Sequence, residues 1–261
     1  VAWATLIAQG LCAVASLLVL LRRMRRMPCE PEKQGVKLPL FHMVAVKRIA
    51  QIGLPSMLQQ SLVSLSMMMM QGLVNSFGKV LVAGYTAATK IDSLAMLPNM
   101  NISNAMSSYT AQNIGAGKPR RALQTLWYAI AVAFGFGVLI SVVIQFVAEP
   151  VVALFTHDAA VVAAGGPYLR GYILDCCFAG VHFCFSGYFC AIGRSELSFV
   201  HNITAVVLVR VPGAYLTSRY FPATLLPMGL ATAAGSLLSV IICVIAFLVL
   251  RRHGKLLPGE G

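Results

Sequence analysis

Seven stretches of this chain, at about 1–21, 49–77, 82–112, 122–147, 162–191, 198–220 and 226–250, are apolar over a length that crosses a bilayer. A spanning helix needs about 20 such residues, and a segment in lipid must satisfy its own backbone polar groups. That requirement restricts the fold more than any motif does. It predicts an all-α, polytopic membrane bundle of seven helices. Composition agrees: 58% of residues are hydrophobic and 11% charged, where a soluble chain carries about 25% charged residues.

The loop Gly115-Ala116-Gly117-Lys118-Pro119-Arg120-Arg121 sets which way up the helices run. Glycine at a helix end takes the left-handed conformation that caps it, and proline just beyond cannot continue the helix. Short loops rich in Lys and Arg stay on the cytoplasmic face. Threading the chain alternately puts 22–48, 113–121, 192–197 and 251–261 on one side, and these segments hold 15 of the 20 Lys and Arg. That side is expected to be cytoplasmic, which places Val1 near the outer face. The net charge of +12 is therefore topogenic, and no nucleic-acid partner is expected. An apolar start without Met reads as the later part of a longer protein.

The segments divide as 1–21, a last helix of a preceding lobe; 22–48, a cytoplasmic linker with an amphipathic stretch at Leu38–Ile49; 49–250, six helices; and 251–261, a cytoplasmic tail. Seven cysteines show no metal or redox spacing, and all but Cys29 lie inside apolar runs, where cysteine behaves as a small apolar residue. No metal site is expected. Gly115-Ala116-Gly117 lacks the full dinucleotide fingerprint, and no Walker loop or zinc-protease motif occurs. Hence no catalytic residues and no cofactor are assigned.

Polar residues at helical spacing inside a span point to a helix interface or a water-filled cavity. On the second span Ser56, Gln60, Ser64, Met67, Gln71 and Asn75 follow steps of three and four. Interhelical hydrogen bonding and a lined cavity both fit that face. The third span carries Asn101, Asn104 and Ser108 beyond Pro98, whose ring kinks a helix; a hinge beside a cavity and a packing seam both fit. The fifth span holds Asp175, His182 and Ser186. An ionisable group at that depth is a functional hypothesis by default. The alternatives are an Asp175–Arg170 pair near the outer surface and a His182 bonded between helices. Lys90 and Asp92 read as a pair, or a snorkelling lysine, near the outer end of the third span. Arg210, before Pro212, either faces the cavity or pairs with an acid.

With these residues in view, the chain resembles the carboxy-terminal half of a bacterial multidrug and toxic compound extrusion (MATE) transporter. The resemblance is carried by Ile52-Gly53-Leu54-Pro55-Ser56 with Gln59-Gln60-Ser61, by Lys90-Ile91-Asp92 through Leu97-Pro98 to Ala111-Gln112-Asn113-Ile114-Gly115-Ala116-Gly117-Lys118-Pro119, and by Gly187-Tyr188-Phe189-Cys190-Ala191-Ile192-Gly193-Arg194. It implies one six-helix lobe of a MATE-like fold plus the preceding helix, in the inner membrane of a bacterium. It also implies alternating access driven by H⁺ or Na⁺, and export of organic cations or amphipathic drugs. The implied partners are that small-molecule substrate, membrane lipid and an amino-terminal lobe missing from this sequence. Some members carry acids where this chain has Val63, Asn101 and Ala179, so coupling is expected at Asp175 or in the missing lobe. The expected cavity is lined by Gln60, Ser64, Met67, Gln71, Asn101, Asn104 and His182, with Pro98 as the hinge. A lipid-linked oligosaccharide flippase of related architecture is the alternative, and a membrane-embedded enzyme using Asp175 and His182 a more distant one.

Overall fold

The computed structural model describes residues 2–25, 43–221 and 224–253. Residues 26–42, which are most of the expected linker and the first part of its Leu38–Ile49 stretch, and residues 254–261 of the tail lie outside the described residues. The chain divides into two compact units, 1–46 and 47–261. In the first, helix α1 (Ala2–Met24) closes on Arg22 and Arg23, where cations suit the partial negative charge of a helix end.

The second unit is a helical bundle. Its helices are α2 (Met43–Asn75), α3 (Lys79–Gly115), α4 (Pro119–Ala153), α5 (Ala159–Tyr172), α6 (Asp175–Ala191), α7 (Ser195–Ala205), α8 (Val211–Tyr220) and α9 (Leu226–Arg252), with a π-helical turn, Val206–Arg210, joining α7 to α8. Among the described residues, five segments are long and apolar enough to cross a membrane: Leu6–Met24, Lys79–Gly115, Pro119–Ala153, Ser195–Tyr220 and Leu226–Arg252. Helices α5 and α6 together make a sixth, bent by 41° at their junction. Helix α2, at 33 residues, is long enough, and its polar stripe is what keeps it below that apolar standard.

Two of the turns repeat one design. After α3, Gly117 takes φ 68°, and after α6, Gly193 takes φ 79°. The residue after each glycine reaches back into the last turn of its helix: Lys118 N donates to Asn113 O at 2.8 Å, and Arg194 N to Phe189 O at 2.8 Å. Carbonyls at the helix ends are thus satisfied in the way a left-handed glycine allows, and each turn carries its cation to the same end of the bundle. Asp158 starts α5 by accepting from Ala160 N at 2.9 Å.

Helix α3 packs against α4, α5 and α6, and α9 against α5, α6 and α7. Glycine permits the closest approaches: a Cβ on Gly84 would lie 2.8 Å from Gly165 N, and one on Gly137 2.8 Å from Cys177 Cα. In lipid, where no hydrophobic force joins helices, such close packing supplies their association. Helix α3 runs through Pro98 as one helix. In α4 the backbone does leave the helical region, at Val147 (φ −117°, ψ 17°), three residues before Pro150.

The expected continuous fifth span is therefore two helices meeting at Ile173 and Leu174. Side chains of neighbouring helices reach the backbone around that junction. Ser141 Oγ donates to Ile173 O at 3.0 Å, Gln145 Nε2 to Arg170 O at 2.9 Å, and Asn99 Nδ2 to Cys176 O at 3.0 Å. Broken helices inside membranes persist where such partners exist.

Candidate functional site

Asp175 is the first residue of α6, placed there by the break. It is buried, 4% exposed, so its charge needs a partner. Arg210 provides one: its Nη2 lies 3.8 Å from Asp175 Oδ1 and donates to Ser236 Oγ on α9 at 2.6 Å. Arg210 is the last residue of the π turn. Such turns insert one extra residue and re-aim the side chains beyond it, often at functional sites. Room for the arginine comes from Gly235, where a Cβ would stand 2.5 Å from Arg210 Cγ.

Above this pair opens a cavity of about 300 Å³. Helix α2 contributes Met67 and Gln71, α3 contributes Tyr85, Lys90 and Asp92, α5 contributes Tyr168 and Tyr172, and Arg210 forms part of its wall. The tyrosines form one aromatic wall: Tyr85 and Tyr168 have ring centroids 5.1 Å apart, and Tyr168 and Tyr172 stack at 5.2 Å. Asp92 is buried, 6% exposed, and its Oδ1, like that of Asp175, has no hydrogen-bond partner among the described residues. Two carboxylates therefore act on one arginine, and only Asp175 holds it.

Three alternatives that the sequence leaves open are decided by this geometry. Arg170 pairs with Glu149 at 3.3 Å, not with Asp175. Asp92 is buried on the cavity wall while Lys90 is exposed, so Asp92 belongs to the charge site and not to the outer rim. Arg210 both faces the cavity and pairs with an acid. Asp92 is hidden in the sequence because its depth depends on where α3 begins. With the helix starting at Lys79, it stands thirteen residues in, or about 20 Å.

Of the other expected residues, Met67 and Gln71 reach the cavity, and Gln71 donates to Asn75 at 3.0 Å. Gln60 and Ser64 are exposed farther along α2. Asn101 and Asn104 are exposed on α3, whose packed face instead carries Asn99 and Ser103; Ser103 Oγ donates to Phe183 O at 2.7 Å. Pro98 is half-buried. His182 is buried away from the cavity, its ring 5.7 Å from that of His201 on α7. No group of three or more His, Cys, Asp or Glu that could hold a metal occurs among the described residues.

Half-helices that end beside paired charges recur where membrane transporters hold solutes and ions, and the fold here is a polytopic membrane bundle with one such break. More narrowly, the chain belongs to the MatE family, whose model matches residues 55–216. Membership places it among transporters rather than enzymes. The probable multidrug resistance protein YpnP of Bacillus subtilis is 28% identical over 172 residues, covering 66% of this chain and 39% of that protein. The FAD transporter of Shewanella oneidensis is 28% identical over 173 residues, covering 66% and 38%. The solved MATE transporter VcmN of Vibrio cholerae, in its bent form, matches with a TM-score of 0.81 at 19% identity, covering 94% of this chain and 54% of that one. The chain thus spans about two fifths of the length of those curated relatives and about half of the solved one.

Proposed function

We propose that this chain is the carboxy-terminal lobe of a secondary active exporter in a bacterial inner membrane. H⁺ or Na⁺ moves inward down its gradient while an amphipathic organic compound or drug leaves. The reading is supported by the family and by the multidrug-resistance names of relatives, and it is carried by one observation: Asp175, buried at a helix break, holds an arginine beneath a cavity. A proton or Na⁺ on Asp175 cancels the charge that holds Arg210. The helices bearing the two then lose a tie in one state and keep it in the other, and that differential binding is what shifts a population between facing states. Gln60, Ser64, Asn101 and Asn104 form the polar wall toward a counterpart amino-terminal lobe, Met67 and Gln71 continue it to the charge site, His182 lies below, and Pro98 allows α3 to bend. No cofactor beyond the coupling ion is required.

A flippase for a pyrophosphate-linked lipid needs free cations in its cavity. Of the two cations that line the cavity among the described residues, Arg210 is already engaged by Asp175 and Ser236, which leaves Lys90 and favours the exporter. The test is efflux of ethidium from inverted vesicles holding the full-length protein, under separately imposed pH and Na⁺ gradients, beside Asp175→Asn at equal expression. A gradient-driven signal that Asp175→Asn abolishes is the expected result. Normal efflux by the variant sinks Asp175 as the coupling residue, and no efflux by the parent under either gradient sinks the exporter.

A further inference from the structure

Below the Asp175–Arg210 pair, a seam of buried polar side chains descends between α6, α7 and α9 toward the end of the bundle that bears Lys118, Arg194 and Arg251. Its first rung is Asp175, Arg210 and Ser236. One turn farther along α9, Ser239 Oγ donates to His201 O at 3.5 Å. The next rung is His182 on α6 and His201 on α7, 2% and 1% exposed, with ring centroids 5.7 Å apart. One turn beyond, Ser186 bonds Ser198, and Ser198 Oγ donates to Gln59 Oε1 on α2 at 2.8 Å. The last rung is Ser195 Oγ donating to Gln51 O at 3.4 Å, near the starts of α7 and α2. Each step is about one to two helical turns, 5–10 Å.

A seam that only joins helices satisfies its own donors and acceptors. The lower rungs do so. The middle rung does not: Nδ1 and Nε2 of both His182 and His201 have no hydrogen-bond partner among the described residues. A neutral imidazole carries one donor and one acceptor, and leaving such groups unmet costs about 1–3 kcal/mol each. Two adjacent rings with four open nitrogens are poor glue and leave sites for an exchanging proton. An imidazole suits that proton by its two ring nitrogens, since one accepts while the other donates. The charged and titratable groups bearing on the pair are each other and Arg210; Asp175 from α6 and Asp92 from α3 bear on Arg210 in turn.

We propose that His182 and His201 relay protons between the Asp175–Arg210 site and the cation-rich end of the bundle, along the seam between α6, α7 and α9. A proton that arrives at one ring nitrogen makes an imidazolium, and its departure from the other nitrogen leaves the neutral ring in its second tautomer. A ring turn restores the first. One proton moves and no other group is consumed. The relay rests on the proposed ion-coupled export and commits it to H⁺.

The test uses the full-length protein in liposomes with a pH-sensitive dye inside and ethidium as the transported probe. Proton release is compared with ethidium–ethidium exchange, which needs alternating access but no net proton movement. His182→Gln and His201→Gln keep polarity and lose proton transfer. Each is expected to slow proton release by at least about tenfold, as loss of a positioned proton carrier does, with exchange within about twofold of the parent. The parent's proton release is also expected to slow in D₂O beyond a viscosity control, and this measurement needs no variant to fold. Unchanged proton release in both variants overturns the relay, and so do a parallel loss of exchange and proton release, or a parent insensitive to D₂O. Ethidium movement driven by Na⁺ alone overturns the relay while leaving the exporter standing. No ethidium movement under any gradient overturns the exporter itself.

Discussion

Asp175 and Asp92 share one arginine unequally, and that inequality has a measurable consequence. Arg210 lies 3.8 Å from Asp175 and lines the same cavity as Asp92. Removing the arginine strands two buried carboxylates. Breaking one side of a buried pair costs about 3–5 kcal/mol, because an uncompensated charge remains. Removing Asp175 instead leaves Arg210 with Asp92 still at hand. Arg210→Met is therefore expected to lower thermal stability in detergent by roughly that amount, Asp175→Asn by clearly less, and the double variant to recover much of the Arg210→Met loss. Melting curves of the three variants test the point. Equal losses from the two single variants, or losses that add in the double one, mean that the groups do not share a charge.

The elements are where sequence and structure part company, and each difference has a local cause. The α3 stop at Gly117 is legible, because a left-handed glycine between a helix and a cation-proline pair has few other uses. So is the polar stripe of α2, because its steps of three and four persist over most of the helix. The break between α5 and α6 is not. Ile173 and Leu174 are ordinary helix formers, and the groups that bond the backbone around the break lie elsewhere in the chain, in Ser141, Gln145 and Asn99. The asparagines of α3 mislead for a related reason: Asn101 and Asn104 share a neat stripe, yet Asn99 is the one packed inside, since neighbours and not periodicity decide which face is buried. Helix contacts give the prediction at this scale. Gly137 lets α4 lie directly against α6, where a Cβ would come within 2.8 Å of Cys177 Cα and 2.9 Å of Cys176 O. Both obstacles are backbone, so no rotamer relieves them. Gly137→Ala is expected to cost about 1–3 kcal/mol, the usual penalty of overpacking, whereas Gly135→Ala, with nothing within 4 Å, is expected to be neutral. A Gly137→Ala protein that melts with the parent refutes close α4–α6 contact.

At the scale of the molecule, the two glycine turns do more than end helices. Gly117 and Gly193 deliver Lys118, Arg120, Arg121 and Arg194 to one end of the bundle, and α9 brings Arg251 and Arg252 to that end as well. Excess Lys and Arg in short loops keeps them cytoplasmic. On that rule the cavity with Asp92 and Arg210 is expected in the outer half of the lobe, since α3 enters it from Lys79 and α9 from Leu226. The polar seam runs from there inward. On the proposed coupling, that orientation has an ion enter at the cavity and leave toward the arginine-bearing loops. The 116–121 loop offers a direct check, because it is exposed at Lys118, Arg120 and Arg121. Trypsin added to inverted vesicles is expected to cut after Arg120 or Arg121, and trypsin outside right-side-out vesicles to leave that loop whole until detergent is added. The opposite pattern would turn the lobe over, place Asp92 on the cytoplasmic side, and make the seam a route from inside to out, incompatible with inward-driven coupling through Asp175.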